Sequence, residues 1–230
     1  MNTETTGPSR QPKHIGMESS MKKRNEIIIC RILEQYPDGQ CALQYRDPFE
    51  LLVASRLSAQ CTDKRVNLVT KELFAKFPDA ESFAHASPED IEPVIRPCGL
   101  YRMKAKDLCA MSRMLIQEFD GKLPDTMEGM LRLPGVGRKI ANLMLGEVYG
   151  TPGVIVADTH CIRLANRLGL CDSKDPLRVE NALRKQVDPQ KSLVFCHALV
   201  SHGRTVCMAR NPSCDSCFLR DVCPSCPLKK

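Results

Sequence analysis

Residues 133–142, Leu-Pro-Gly-Val-Gly-Arg-Lys-Ile-Ala-Asn, predict a tight turn between two helices. A helical pattern ends near Leu133, Pro134 stops it, and the glycines on either side of Val136 permit a positive φ and a close approach of the backbone. The free N–H groups of this hairpin, together with those that open the next helix at Gly137, form a nest that suits one phosphate group of a nucleic acid. Such a contact carries no information about base sequence.

Lys139 lies in the first turn of the helix that follows this hairpin, predicted over residues 137–149. Apolar residues cover most of the circumference of this helix, so we expect it to be buried. The positive end of the helix dipole and the apolar surroundings should both disfavour an ammonium ion and lower the pKa of Lys139. The residues alone leave two interpretations open: a neutral amine that acts as a nucleophile, and a charged lysine that binds a phosphate group.

Composition and charge indicate a globular protein with a polyanionic partner. The chain has 230 residues, of which 43% are hydrophobic and 26% charged, enough for one sizeable core or two modest domains. The whole formal excess of +6 lies in residues 121–230, which contain 16 Lys and Arg against 10 Asp and Glu. A nucleic acid is the natural partner of such a surface. The alternative is ordinary scatter of charge, since the excess is modest.

The sequence shows neither a membrane span nor a signal peptide. No run approaches the roughly 18 apolar residues that cross a bilayer, and the N-terminal region is polar. We therefore expect a monomer that does not bind membranes, located in the cytoplasm of a prokaryote and associated with the nucleoid. In a reducing compartment the 13 cysteines should stay thiols, and a cluster of them should bind a metal.

Helical periodicity predicts an all-α chain of about ten short helices. Residues 1–21 lack such a pattern and predict disorder. Helices are predicted over residues 22–36, 49–59, 63–77, 87–97, 101–119, 125–132, 137–149 and 159–169, with Asp63 as the cap of the third.

Four cysteines near the C-terminus have a spacing typical of metal ligands. The pattern is C-x6-C-x2-C-x5-C, formed by Cys207, Cys214, Cys217 and Cys223. Two metal centres compete for it. Zinc usually takes paired C-x2-C knuckles, of which only one is present, and an iron–sulfur cluster is held by four thiolates. Cys226 is close enough to compete as a ligand.

The chain resembles the endonuclease III family of DNA glycosylases over about residues 25–223. Five stretches carry the resemblance: residues 133–142, Leu57–Asp63, Gly99–Tyr101, Ala157–His160 and the cysteine spacing. The resemblance implies a [4Fe–4S] cluster on the four cysteines, and it favours that cofactor over zinc. One departure is Gly146, which stands where an asparagine is common in the family.

The resemblance also implies two catalytic residues. Lys139 matches the catalytic amine of the family, and Asp158 matches a carboxylate that stabilises positive charge on the sugar and takes part in proton transfer. From its local sequence alone, Asp158 is only an N-cap before an apolar run.

DNA contacts are implied for five residues: Gln60, Leu100, Gly135, Val136 and Gly137. Gln60 would fill the space left by an extruded nucleotide, and Leu100 would act as a wedge between base pairs. Without the resemblance, Gln60 is a solvated residue at a helix end. Leu100 is then a core leucine followed by the basic residues Arg102, Lys104 and Lys106.

The implied activity is that of a bifunctional DNA N-glycosylase and AP lyase of base excision repair. Such an enzyme removes oxidised or ring-damaged pyrimidines from duplex DNA and cleaves the strand 3′ to the abasic site by β-elimination through a lysine Schiff base. The partner is double-stranded DNA that contains a damaged base or an abasic site. A monofunctional mismatch glycosylase is one alternative, but those relatives lack a lysine at the position of Lys139. A non-catalytic iron–sulfur DNA-binding protein is another, and it leaves the pairing of Lys139 with Asp158 unexplained.

We expect two helical lobes with a DNA cleft between them. Residues 42–152 should form a helical-barrel domain of six helices, with the helix-hairpin-helix at residues 131–149. Residues 22–41 and 153–230 should form the iron–sulfur cluster domain, with the cluster loop at residues 207–223.

Overall fold

The computed structural model describes residues 14–227, with side chains from residue 19 onwards. Within that range the regular structure is helical and contains no strand. Its eleven α-helices are α1 (His14–Gln35), α2 (Pro48–Leu57), α3 (Asp63–Lys76), α4 (Ala80–His85), α5 (Pro88–Ile95), α6 (Tyr101–Phe119), α7 (Met127–Arg132), α8 (Arg138–Tyr149), α9 (Thr159–Arg167), α10 (Pro176–Arg184) and α11 (Ser192–Thr205). Three short 3-10 turns lie at Arg96–Cys98, Pro189–Lys191 and Cys214–Ser216.

The first helix is longer than the sequence predicted. Because α1 begins at His14, the predicted disorder of residues 1–21 is wrong for residues 14–21, and residues 1–13 lie outside the described residues. Residues 17–35 contain neither proline nor glycine and are rich in Met, Glu, Lys and Arg. These residue types favour a helix, so α1 extends upstream of its periodic apolar segment.

Helix α4 is a further correction to the predicted fold. It has only six residues and buries only one of them, Phe83, so it shows no periodicity. A capping box between Asp79 and Ser82 starts it, without the acidic or amide residue that usually signals such a box in a sequence. Residues 42–152 therefore contain seven α-helices, where the sequence predicted six.

Helix starts follow the predicted cap chemistry with one exception. The Asp47 side chain accepts a hydrogen bond from the Glu50 N–H at 2.9 Å and starts α2, with Pro48 in the first helical position. At α3 the cap is Thr62, whose hydroxyl accepts from the Arg65 N–H, and Asp63 is the first helical residue. The prediction of Asp63 as the cap is therefore wrong by one position.

The helices fall into two packed groups. Helices α2 to α8 pack mainly on one another. In the second group, α1 and α9 pack on α11, and α10 packs on α9. This packing supports the predicted division between residues 42–152 and residues 22–41 plus 153–230, which we retain as a proposal.

Helix α8 contacts helices of both groups. A Cβ added at Gly146 would lie 2.7 Å from Val154 and 2.9 Å from Leu193, so the absence of a side chain lets α8 approach α11. Nearby, Nε2 of His197 lies 2.6 Å from the Glu147 carboxylate. These contacts fix the orientation of the helix whose first turn carries Lys139.

None of the helices in residues 14–227 combines the length and the apolar character that crossing a membrane requires.

Candidate active site

The predicted hairpin joins α7 to α8. Gly135 has a φ of +76°, a value that favours glycine. It packs against an ion pair in which Nη2 of Arg56 lies 2.5 Å from Oδ2 of Asp107. Arg56 is 6% exposed, so this pair is a rigid support beneath the turn.

Val136 and Gly137 have different roles in this hairpin. Val136 is 7% exposed, and its N–H donates to the Leu133 carbonyl oxygen at 3.1 Å. Its N–H is therefore not free for a phosphate, and its side chain anchors the turn in the core. Gly137 is exposed and starts α8 without a side-chain cap. The N–H groups that open α8 are consequently available to an anion.

Lys139 lies in the first turn of α8, as predicted, but it is exposed. The predicted apolar surroundings are wrong, because α8 buries residues such as Ile140, Leu143 and Met144 on its other faces. Among the described residues, the Lys139 amine has no hydrogen-bond or ion-pair partner. The amine is thus free to meet a ligand.

Asp158 is the N-cap of α9. Its Oδ1 accepts the Cys161 N–H at 2.7 Å, and the buried segment Val154–Ala157 leads into it. The capping interpretation is therefore correct. Capping uses only one carboxylate oxygen, and Oδ2 has no hydrogen-bond partner among the described residues. The second oxygen can serve another purpose.

Lys139 and Asp158 line one groove of 870 Å³. The groove is also lined by Gln60, His160 and residues of both helix groups, and an ion pair between Asp63 of α3 and Arg204 of α11 lies on it. Burial lowers the pKa of His160, which favours a neutral imidazole at pH 7. The structure therefore brings together Lys139, Asp158 and Gln60, as predicted.

Leu100 lies outside the lining of this groove. Its side chain is 46% exposed, so the core interpretation of this leucine is wrong. Leu100 has a φ of 49°, and Gln60 has a φ of 54°. Both predicted DNA-plugging residues thus have a left-handed backbone, which is uncommon for residues other than glycine.

The four predicted ligand cysteines line a single small cavity, together with Cys226. Within the described residues, no set of three or more ligand side chains converges on one ion position. Zinc would require four sulfurs about 2.3 Å from one point, whereas the irons of a cluster keep their ligand sulfurs apart. The cavity therefore fits an iron–sulfur cluster better than a zinc ion.

Helix α9 supports the loop that carries these cysteines. Arg167 donates to the carbonyl oxygens of Met208 and Ala209 at 2.7 and 2.9 Å, and its Nη1 lies 3.4 Å from the Cys207 sulfur. The Cys223 sulfur in turn lies 3.7 Å from the Arg167 carbonyl oxygen. The helix that Asp158 caps is thus tied at its other end to the cysteine loop.

Comparisons with known proteins match both the region that contains the hairpin and the cysteine loop. A family model described as HhH-GPD superfamily base excision DNA repair protein matches residues 53–189. A second model, the iron–sulfur binding domain of endonuclease III, matches residues 207–223 and so begins and ends on predicted ligands. Endonuclease III of Synechocystis sp. is 43% identical over 207 residues, which cover 90% of this chain and 94% of that protein.

The chain belongs to the endonuclease III family. Two solved structures of endonuclease III have the same fold, each with a TM-score of 0.85, 38% identity and 89% of this chain covered. One is a non-covalent complex of endonuclease III with DNA, with 95% of that chain covered, and the other is a trapped covalent endonuclease III–DNA intermediate, with 96% covered. The predicted all-α fold is confirmed.

Membership of the endonuclease III family confirms the predicted enzyme class and cofactor. The chain is a base excision repair enzyme that binds DNA and carries an iron–sulfur cluster domain with a [4Fe–4S] cluster. Sequence reasoning missed the Arg56–Asp107 ion pair beneath the hairpin. No local signal marks that pair, because its members lie 51 residues apart.

Proposed function

We propose that this endonuclease III family member is a bifunctional DNA N-glycosylase and AP lyase that acts on duplex DNA with a damaged base or an abasic site. One observation carries the proposal: Lys139 and Asp158 line the same groove, and the Lys139 amine has no partner among the described residues. A lysine that stabilised the fold through an ion pair would have a protein partner.

The chemistry begins with extrusion of the damaged nucleotide, because C1′ of the sugar is inaccessible inside a duplex. The Lys139 amine attacks C1′, the bond from C1′ to the base breaks, and the base leaves with a proton. Opening of the sugar ring gives a Schiff base between Lys139 and C1′. Removal of a C2′ proton then breaks the C3′–O bond and releases the 3′ phosphate.

Asp158 supplies negative charge to this reaction. A carboxylate on the groove wall stabilises the positive charge that develops on the sugar as the base leaves. Its Oδ2, which capping leaves unused, can also accept a proton. The capping bond from Cys161 holds the carboxylate in place during both steps.

DNA binding rests on the hairpin and on two plugging residues. The N–H groups of Gly135, Gly137 and the first turn of α8 face one phosphate, and Val136 holds the turn. Gln60 and Leu100 occupy the gap that the extruded nucleotide leaves. Since phosphate groups are neutralised in such a complex, affinity should fall steeply as salt is raised.

Cys207, Cys214, Cys217 and Cys223 would hold the [4Fe–4S] cluster. Bound by these four thiolates, the cluster would stabilise the loop that packs on α9 through its binding free energy. We assign the cluster a structural role. The preference for oxidised or ring-damaged pyrimidines is part of the proposal and is supported by the family resemblance.

Borohydride trapping on abasic-site duplex DNA tests the proposal. Reduction converts a Schiff base into a stable protein–DNA adduct, so the wild-type protein should be trapped and Lys139→Gln should not. Lys64 lies on the same groove, and Lys64→Gln is the matched comparison. Trapping by Lys139→Gln but not by Lys64→Gln would reassign the amine. Base release without any trapping would favour the monofunctional alternative.

A further inference from the structure

Lys104 is completely buried, with 0% of the residue exposed. Its Nζ donates to the carbonyl oxygens of Leu57 at 2.8 Å, Ala59 at 2.7 Å and Cys98 at 2.9 Å. Within residues 19–227 no carboxylate pairs with this ammonium group. An ammonium has three N–H donors, and three backbone carbonyls satisfy all of them.

The three carbonyls belong to two separate loops. Leu57 is the last residue of α2 and Ala59 follows it in the connection to α3; we call residues 57–61 the Gln60 loop. Cys98 closes the 3-10 turn before α6 and belongs to the Leu100 loop (residues 98–100). One ammonium group therefore ties together the two loops that carry the exposed residues Gln60 and Leu100.

Both loops have an unfavourable backbone at the exposed residue. The φ angles of Gln60 and Leu100, 54° and 49°, lie in the left-handed region, which is sterically unfavourable for a residue with a Cβ. Such conformations persist only where the surrounding structure over-determines them. The hydrogen bonds of Lys104 to the carbonyls of Ala59 and Cys98 fix each loop within two residues of the strained position.

We propose that Lys104 is a positioning residue that sets the separation and backbone conformation of Gln60 and Leu100, so that both side chains enter the gap left by one extruded nucleotide. This inference rests on the proposed function. Lys104 does not line the groove of Lys139 and Asp158, so it acts through the two plugging residues. Burying a charge is costly, and burial lowers the pKa of Lys104. The three carbonyls offset that cost only while both loops keep this geometry.

The test compares a paired lesion with an unpaired one. Lys104→Met keeps an apolar stem of similar length and removes the donors. We measure kcat/KM for the removal of thymine glycol from duplex DNA. We also measure the rate of borohydride trapping at an abasic site in single-stranded DNA, where no gap needs filling. Lys122→Met, at an exposed position beyond α6, is the control for the substitution.

For Lys104→Met we expect a loss of about 100-fold in duplex kcat/KM, since displacing a positioning contact by about 1 Å has that effect. The rate of trapping on single-stranded DNA should change by less than about 3-fold, because that substrate has no gap for the two side chains to fill. Leu100→Ala should show the same duplex-selective loss, and adding Lys104→Met to it should cost little more.

An equal loss on both substrates, or no loss on either, would overturn the inference. If Lys104→Met does not fold, Lys104→Gln, one atom shorter with two donors, is measured in the same way. Absence of trapping in the wild-type protein would instead refute the proposed function, so the two failures are distinguishable.

Discussion

Arg56 lies so close to Gly135 that a Cβ added to the glycine would be 2.5 Å from the Arg56 Nε atom. The same Cβ would lie 2.8 Å from Oδ2 of Asp107. The hairpin beside Lys139 therefore rests directly on the ion pair of the buried Arg56 with the half-buried Asp107, and its shape depends on the absence of one side chain.

Gly135→Ala should lower both stability and DNA affinity. The left-handed φ of +76° costs about 1–2 kcal/mol once a Cβ is present, and the contact with Arg56 adds to it. Urea unfolding and DNA binding measure the two effects. Gly137→Ala is the matched control for stability, because a Cβ there meets nothing within 4 Å and its φ of −103° suits alanine. Equal stability of both variants would show that Gly135 is not under the constraint described.

Asp158→Asn should separate capping from catalysis. Asparagine caps a helix as well as aspartate does, so the melting temperature should stay unchanged, whereas loss of the carboxylate should reduce base release by about 10²–10⁴-fold. Asp158→Ala should lose activity and about 1 kcal/mol of stability. Full activity of Asp158→Asn would reduce this residue to a cap.

Cys223→Ser should remove the iron–sulfur cluster. The loop that packs on α9 then loses one of its four metal–thiolate bonds, so the protein should lose its brown colour and its melting temperature should fall. Cys226→Ser is the control, because Cys226 lies in the same cavity but beyond the match to the iron–sulfur domain. Iron analysis and thermal unfolding are the measurements. Loss of iron from Cys226→Ser would make it a ligand.

Glu147 should contribute stability that depends on pH. The hydrogen bond from His197 lowers the pKa of Glu147 below its ordinary value of 4.5. The unfolded chain therefore takes up a proton first as pH falls, so this stability is present above pH 4.5 and lost as pH falls through the lower folded value. Glu147→Gln should lose about 1.5–3 kcal/mol at pH 7.

The stability difference between wild type and Glu147→Gln should narrow as the pH falls below 4.5. Urea unfolding at pH 7, 5, 4 and 3 tests this trend. Glu72→Gln is the control, since the ion pair of Glu72 with Lys76 is exposed and should contribute little at any of these pH values. A difference that stays constant across the series would contradict the assignment.

The sequence predicted most helix starts, the hairpin and the cysteine loop, because caps, glycines and cysteine spacing are local signals; it missed the early start of α1 and the whole of α4. It also led to Lys139 and Asp158 through family resemblance. It could not show that Lys104 is buried, because the three acceptors are backbone carbonyls with no side-chain signature, two of them more than 40 residues away. The exposure of Lys139 likewise depends on which faces of α8 pack against other helices, and the local sequence does not show this.

The central claim is that the Lys139 amine forms the covalent bond to DNA. The most direct measurement is peptide mapping by mass spectrometry of the borohydride-reduced adduct formed with abasic-site DNA. The account predicts that the sugar remnant is attached to Nζ of Lys139. Attachment to the N-terminal amine or to another lysine would contradict it.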